Sequence, residues 1–128
     1  MIHGVGTDIV TIARIERMLG DHGERTAEKL LAPAEMERYR EAARPAAYLA
    51  KRFAAKEALG KALGLGLRDP ATLHNIAVVS DGIGRPSFEY APPLADWLKE
   101  RGLRAHLSLS DEIDTALAFV VVEQESPA

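Results

Sequence analysis

The sequence predicts an α+β fold, a mainly antiparallel sheet with one long helix packed on one face. Three observations predict it. Apolar stretches with strand character stand near both ends of the chain, at residues 2–6 and 115–123. Between them, residues 45–63 are rich in Ala, Leu, Lys and Glu, all good helix formers. The other strands come as hairpins, so the order is strand, helices, hairpin, helix, hairpin, with no regular βα alternation.

The elements follow in chain order. Residues 2–6 read as a short buried strand. Thr7 or Asp8 can cap the next helix, because either side chain accepts from free backbone N–H groups. In that helix Ile9, Ile12, Ile15 and Leu19 follow helical spacing, and Arg14 and Arg17 fall elsewhere on its surface. Gly20 and Gly23 break it. Residues 25–31 and 34–41 are two further short helices, with Pro33 near the first turn of the second. Pro45 opens the long helix, and Gly64 and Gly66 end it. Residues 63–73 are the least regular stretch and the best candidate for a mobile loop. Residues 76–79 and 86–90 are strands joined by the turn Asp81-Gly82-Ile83-Gly84-Arg85. A helix runs from Pro93 to about Arg101 and closes at Gly102. Residues 105–109 alternate as a strand, with His106, Ser108 and Ser110 on one face. Residues 115–123 form a final strand, apolar on both faces, which predicts burial on both sides. Ser126, Pro127 and Ala128 are a frayed tail.

Composition narrows the function. The 128 residues suit one domain, 1–128, and 47% hydrophobic content is enough for a packed core. There is no cysteine, which excludes disulfides, zinc–thiolate sites and thiol nucleophiles and suits the cytoplasm. No signal peptide and no membrane-spanning run is visible. The net charge of −3 argues against a nucleic-acid binder, although a local basic patch can still meet an acidic partner.

Two segments carry the chemistry. Gly4-Val5-Gly6-Thr7-Asp8-Ile9-Val10 holds one carboxylate, and its glycines let a backbone or a ligand approach closely. Arg52-Phe53-Ala54-Ala55-Lys56-Glu57-Ala58-Leu59-Gly60-Lys61 holds a second carboxylate beside several cations. Asp8 alone reads as a helix cap, Glu57 with Lys61 as an ordinary helix salt bridge, and Arg52 with Lys56 as a solvated cationic face. Together, Asp8, Glu57, Lys61 and Arg52 supply what a diphosphate needs. Carboxylates hold a hard cation, Lys gives a point charge, and Arg grips phosphate in two prongs.

These segments resemble the two signature motifs of the 4′-phosphopantetheinyl transferases. The chain is most similar to the short bacterial class of that family, the holo-[acyl-carrier-protein] synthases. The likeness extends to Arg14-Ile15, to the turn Gly84-Arg85-Pro86 and to His106-Leu107-Ser108, and so covers nearly the whole chain. It implies transfer of 4′-phosphopantetheine from coenzyme A to a serine of acyl carrier protein, in support of fatty-acid synthesis. Adenosine 3′,5′-bisphosphate would be the other product. It implies Mg²⁺, or Mn²⁺, held by Asp8 and Glu57, with Lys61 on the leaving phosphate. The serine proton would pass to Glu57 or to a metal-bound water. Arg52, Lys61, Gly64, Arg85, Pro86 and His106 would contact coenzyme A. His106 can also be read as a structural histidine on the sheet, and Arg85-Pro86 as a plain hairpin turn. Arg14 would dock the acidic carrier, and Arg17 joins it by its neighbouring place on the helix. The resemblance also implies a homotrimer with active sites between subunits. An Asp111 contribution to the metal shell stays open. Gly60 departs from the family, where a larger small residue is commoner, and it predicts a cost of roughly 1 kcal/mol to the helix.

A non-catalytic coenzyme-binding oligomer is the rival reading. The joint presence of Asp8, Glu57 and Lys61 weighs against it, because a binder needs no complete reaction set. A transferase for polyketide or peptide-synthase carriers is a narrower rival, usually twice as long with two pseudo-repeats, and no repeat appears here.

Overall fold

The computed structural model describes residues 1–125; Ser126, Pro127 and Ala128, expected as a frayed tail, lie outside the described residues. The order is β1 (Ile2–Thr11), α1 (Ile12–His22), α2 (Glu24–Leu30), a 3-10 turn (Pro33–Glu35), α3 (Met36–Arg40), α4 (Pro45–Leu63), a second 3-10 turn (Leu73–Asn75), β2 (Ile76–Ser80), β3 (Pro86–Tyr90), α5 (Pro92–Glu100), β4 (Leu103–Asp111) and β5 (Thr115–Gln124). Strands β1, β5 and β4 form an antiparallel sheet in that spatial order, and β2 pairs with β3 in a separate hairpin. This is the α+β class that the sequence predicts. Among the described residues, no helix is long and apolar enough to cross a membrane.

Helix α4 is the axis of the molecule. It is buried almost all round, as a helix crossing the middle of a domain must be. Pro45 starts it at a position whose N–H has no helical partner to lose. Gly64 ends it in the left-handed region, with φ 79°, and its N–H is bonded back to Lys61 O. One face meets Ala116, Ala118, Val120 and Val122 of β5, all buried. The crossing with β1 is closer still. A Cβ on Gly4 would strike the Ala62 carbonyl, and a Cβ on Gly6 would strike the Ala58 carbonyl. The close approach that these glycines permit is therefore that of the α4 backbone.

Two expectations change. Strand β1 is twice the predicted length and carries Asp8 in its interior, so Asp8 is no helix cap; Thr11 stands at the N-cap. Ile9, Val10 and Thr11 are β-branched and prefer the strand. Ile9 is 65% exposed and is not part of the apolar face of α1. Strand β5 is buried on one side only within the chain, and Leu117 and Phe119 remain 40% and 41% exposed on the other.

Candidate active site

Asp8 reaches the site because β1 crosses α4 so closely. Cross-strand neighbours share a face, and Asp8 is opposite the buried Ala118, so its side chain is on the α4 face of the sheet. There it meets Lys61 from the last turn of α4. Lys61 Nζ donates to Asp8 Oδ1 at 3.2 Å and to the Thr7 carbonyl at 2.9 Å. Glu57 lies one turn earlier on α4. The salt bridge expected between Glu57 and Lys61 does not form; the ammonium goes to Asp8 instead. Burial pushes the Glu57 carboxyl above its usual range, and the negative charge of Asp8 adds to this, while Lys61 and Arg14 pull the other way. The Asp8 and Glu57 carboxylates thus stand close enough for their charges to interact. A hard cation is the natural complement. Among the described residues no three carboxylate or imidazole groups converge, so Asp111 does not join this pair within the chain. A metal held here would complete its shell with oxygens from outside the protein.

Arg52 and Lys56 are not a solvated face. Lys56 is fully buried, and its ammonium donates to Glu35 Oε1 and to the carbonyls of Leu30 (2.8 Å) and Leu73 (2.9 Å). Glu35 also accepts from Ala32 N–H at 2.8 Å and Val78 N–H at 3.0 Å. Burial lowers the Lys56 pKa, and the Glu35 carboxylate opposes that. Arg52 stacks its guanidinium 3.7 Å over the Tyr48 ring, beside Glu35, with a side chain only 9% exposed. It offers little surface to a phosphate within the chain. Sequence reasoning missed Glu35, which carries no motif signal; its Lys56 partner lies 21 residues away.

Gly60 has a packing reason. Its carbonyl accepts the N–H groups of both Leu65 and Gly66, each at 3.0 Å, and a Cβ there would run into the Gly66 carbonyl. The loop after α4 folds onto the helix at this point. This puts Gly64 next to Lys61, with its own N–H already used by Lys61 O.

His106, Arg85 and Pro86 form a second group. His106 is opposite Val121 on β5, which is opposite Val5 on β1, so it stands on the sheet face away from α4. Within one chain, Asp8 and His106 therefore occupy opposite faces, and the structure does not bring them together. His106 Nε2 lies 2.7 Å from Glu123 Oε1, which holds the Glu123 carboxyl below its usual range. Arg85 N–H closes the β2–β3 turn onto Asp81 Oδ1 at 2.9 Å. Strand β3 packs beside β4, and a groove of about 410 Å³ runs between Phe88 and Tyr90, Leu98, and Arg104 and Ala105. Arg14 and Arg17 are exposed on α1. Arg14 also lies 5.5 Å from the Phe53 ring and is close enough to act on Glu57.

The arrangement can be compared with known proteins. A model of the 4′-phosphopantetheinyl transferase superfamily matches residues 4–118. The chain belongs to this superfamily. A holo-[acyl-carrier-protein] synthase of Azoarcus sp. (strain BH72) is 57% identical over 123 residues, covering 96% of this chain and 98% of that protein. The crystal structure of holo-[acyl-carrier-protein] synthase from Neisseria meningitidis matches with a TM-score of 0.94 and 49% identity, over 97% of this chain and all of that one (100%). A holo-(acyl-carrier-protein) synthase from Bacillus anthracis, solved in complex with CoA (3′,5′-ADP), matches with a TM-score of 0.82 and 32% identity, over 98% and 99% of the two chains.

Proposed function

We propose that this protein transfers 4′-phosphopantetheine from coenzyme A to a serine of apo-acyl carrier protein. The observation that carries the reading is the convergence of Asp8, Glu57 and Lys61 where α4 crosses β1. The level of identity to named holo-[acyl-carrier-protein] synthases, and the coenzyme A complex of one relative, support it.

Asp8 and Glu57 would hold Mg²⁺, or Mn²⁺, together with the coenzyme diphosphate. When bound, the cation would supply neutralisation of phosphate charge, the main electrostatic requirement of phosphoryl transfer. The serine proton would pass to Glu57 or to a metal-bound water as the hydroxyl oxygen attacks phosphorus. The bond that breaks joins phosphorus to adenosine 3′,5′-bisphosphate. Lys61, 53% exposed, is long enough to place its ammonium against the departing phosphate. Arg14 and Arg17 present positive charge to an acidic carrier.

The site is proposed to lie between two copies of the chain in a homotrimer. The separation of Asp8 from His106 supports this, as does the exposed apolar face made by Val5, Ile9, Leu117 and Phe119. One copy would give Asp8, Glu57, Lys61 and Gly64. Its neighbour would give His106, Arg85 and Pro86 to the nucleotide. Arg52 is left out, because its guanidinium is stacked on Tyr48 and its side chain is only 9% exposed. The cytoplasm is the proposed location.

The test is to incubate the protein with coenzyme A, Mg²⁺ and apo-acyl carrier protein, and to weigh the carrier by mass spectrometry. A gain of one phosphopantetheine that EDTA abolishes is the expected result. Coenzyme A binding without any gain would favour the non-catalytic reading.

A further inference from the structure

The Lys61 ammonium occupies one oxygen of Asp8, a carboxylate proposed to hold the cation. It is 2.9 Å from a backbone carbonyl oxygen, that of Thr7, and 3.2 Å from a carboxylate oxygen of Asp8. Those are the donor types that Mg²⁺ and Mn²⁺ take. We infer that Lys61 is the resident counter-ion of Asp8 and that a divalent cation bound at Asp8 Oδ1 displaces it from that oxygen. The inference rests on the reading of Asp8 and Glu57 as metal ligands.

The geometry makes the displacement feasible. The Lys61 side chain is 53% exposed, so its head can leave without unpacking the core, while Asp8 is only 19% exposed and stays in place. Lys61 sits in the last turn of α4, and rotation about its side-chain bonds carries the ammonium outward without moving the helix. A diphosphate arriving at the site offers the ammonium a more highly charged partner than Asp8. Coenzyme A then frees the carboxylate as it binds, and the cation fills the place vacated. Cation and coenzyme bind with positive coupling, and by linkage each tightens the other by the same factor. Without coenzyme A, the cation competes against an ion pair already made. An exposed pair of this kind costs a competitor roughly 1.5- to 5-fold in affinity.

Arg14 provides the contrast. It is a second cation close enough to act on Glu57, but it is not bonded to Asp8. Simple repulsion between positive charges would make removal of Arg14 tighten Mn²⁺ binding as well, though less than removal of Lys61, which acts more strongly on Glu57. Occupancy of the Asp8 oxygen would not.

The experiment is a Mn²⁺ titration read by the electron paramagnetic resonance signal of free Mn²⁺. Wild type, Lys61→Met, Arg14→Met and Asp8→Asn are each titrated with and without saturating coenzyme A, against a coenzyme-only control. Without coenzyme A, Lys61→Met is expected to bind Mn²⁺ roughly 1.5- to 5-fold more tightly than wild type, with Arg14→Met close to wild type. With coenzyme A the gap between Lys61→Met and wild type is expected to close. No tightening in Lys61→Met, a clear tightening in Arg14→Met, or a gap that persists with coenzyme A would each overturn the inference. Failure of wild type to retain Mn²⁺ beyond the coenzyme-only control, or retention undiminished in Asp8→Asn, would instead overturn the metal assignment beneath it.

Discussion

The Lys56 ammonium and the Glu35 carboxylate meet 2.5 Å apart in the interior, on the residue of α4 that precedes Glu57. The pair gathers the end of α2, both 3-10 turns and β2 around one helix, through bonds to Leu30 O, Leu73 O, Ala32 N–H and Val78 N–H. Removing one partner leaves the other charge buried without compensation. Lys56→Met or Glu35→Gln is expected to cost about 3–5 kcal/mol in urea unfolding. The double variant Glu35→Met/Lys56→Met should cost clearly less than the sum of the two single changes. Equal, additive losses would mean that the two side chains do not act as a pair.

Gly60 gives a prediction opposite to helix propensity. Replacing a helical glycine with alanine ordinarily gains up to about 1 kcal/mol. Here the new Cβ meets the Gly66 backbone carbonyl, and backbone cannot step aside as a side-chain tip can. Gly60→Ala is expected to destabilise by about 1–3 kcal/mol, measured as a lower unfolding midpoint. A more stable variant would show that the loop at Gly64–Gly66 relaxes freely.

The same residue shows what the sequence can and cannot reveal. The bounds of α4 were legible, because Pro45 and Gly64 act locally on the backbone at its two ends. So were Asp8, Glu57 and Lys61, whose spacing within two motifs is itself the signal. The reason for Gly60 was not legible, since it depends on where the chain six residues later returns. The Lys56–Glu35 pair spans 21 positions and left no trace in either local pattern. Asp8 looked like a helix cap because Ile9, Ile12 and Ile15 fit a helical period; Ile9 belongs to the strand, and only the packing of β1 on α4 distinguishes the two. Strand β5 read as buried on both sides, while the single chain covers one.

Glu57 links activity to pH and to stability. Its folded-state pKa is raised, first by burial and then by Asp8. Between the unfolded value of about 4.5 and the raised folded value, the native state holds more protons than the unfolded state. Stability therefore falls as pH rises through that window, and the cost persists at neutral pH. With EDTA present, Glu57→Gln is expected to unfold at higher urea than wild type at pH 7, with the advantage fading below about pH 4.5. Turnover should drop by about 10²- to 10⁴-fold. A variant less stable than wild type at pH 7 would contradict the strain assigned to this carboxylate.

Arg14 and Arg17 share a helix but differ in reach. Both are exposed, and only Arg14 acts on Glu57. Arg17→Glu is expected to raise KM for the carrier several-fold at low salt and to leave kcat unchanged. Salt should shrink that difference, because exposed charges more than about 10 Å apart are screened at 0.1 M. Arg14→Glu should do the same to KM and also move the acid limb of the pH–kcat profile upward, since it places a negative charge near Glu57. Identical kinetic effects in the two variants would remove Arg14 from the neighbourhood of Glu57.

The opposite faces occupied by Asp8 and His106 permit a complementation test. If one site takes Asp8 from one copy and His106 from the next, Asp8→Asn and His106→Ala each silence every site of their own homotrimer. Unfolding the two variants together and refolding them as a mixture redistributes the chains. In an equal mixture about a quarter of the interfaces then pair an intact Asp8 with an intact His106 across the boundary. Activity should return to about that fraction of wild type, although neither parent regains any when refolded alone. A site completed within one chain gives a different result, because no mixture of the two variants contains a chain with both residues. Absence of recovery would therefore place the whole coenzyme site on a single copy, and the exposed apolar face of Val5, Ile9, Leu117 and Phe119 would have to be explained without it.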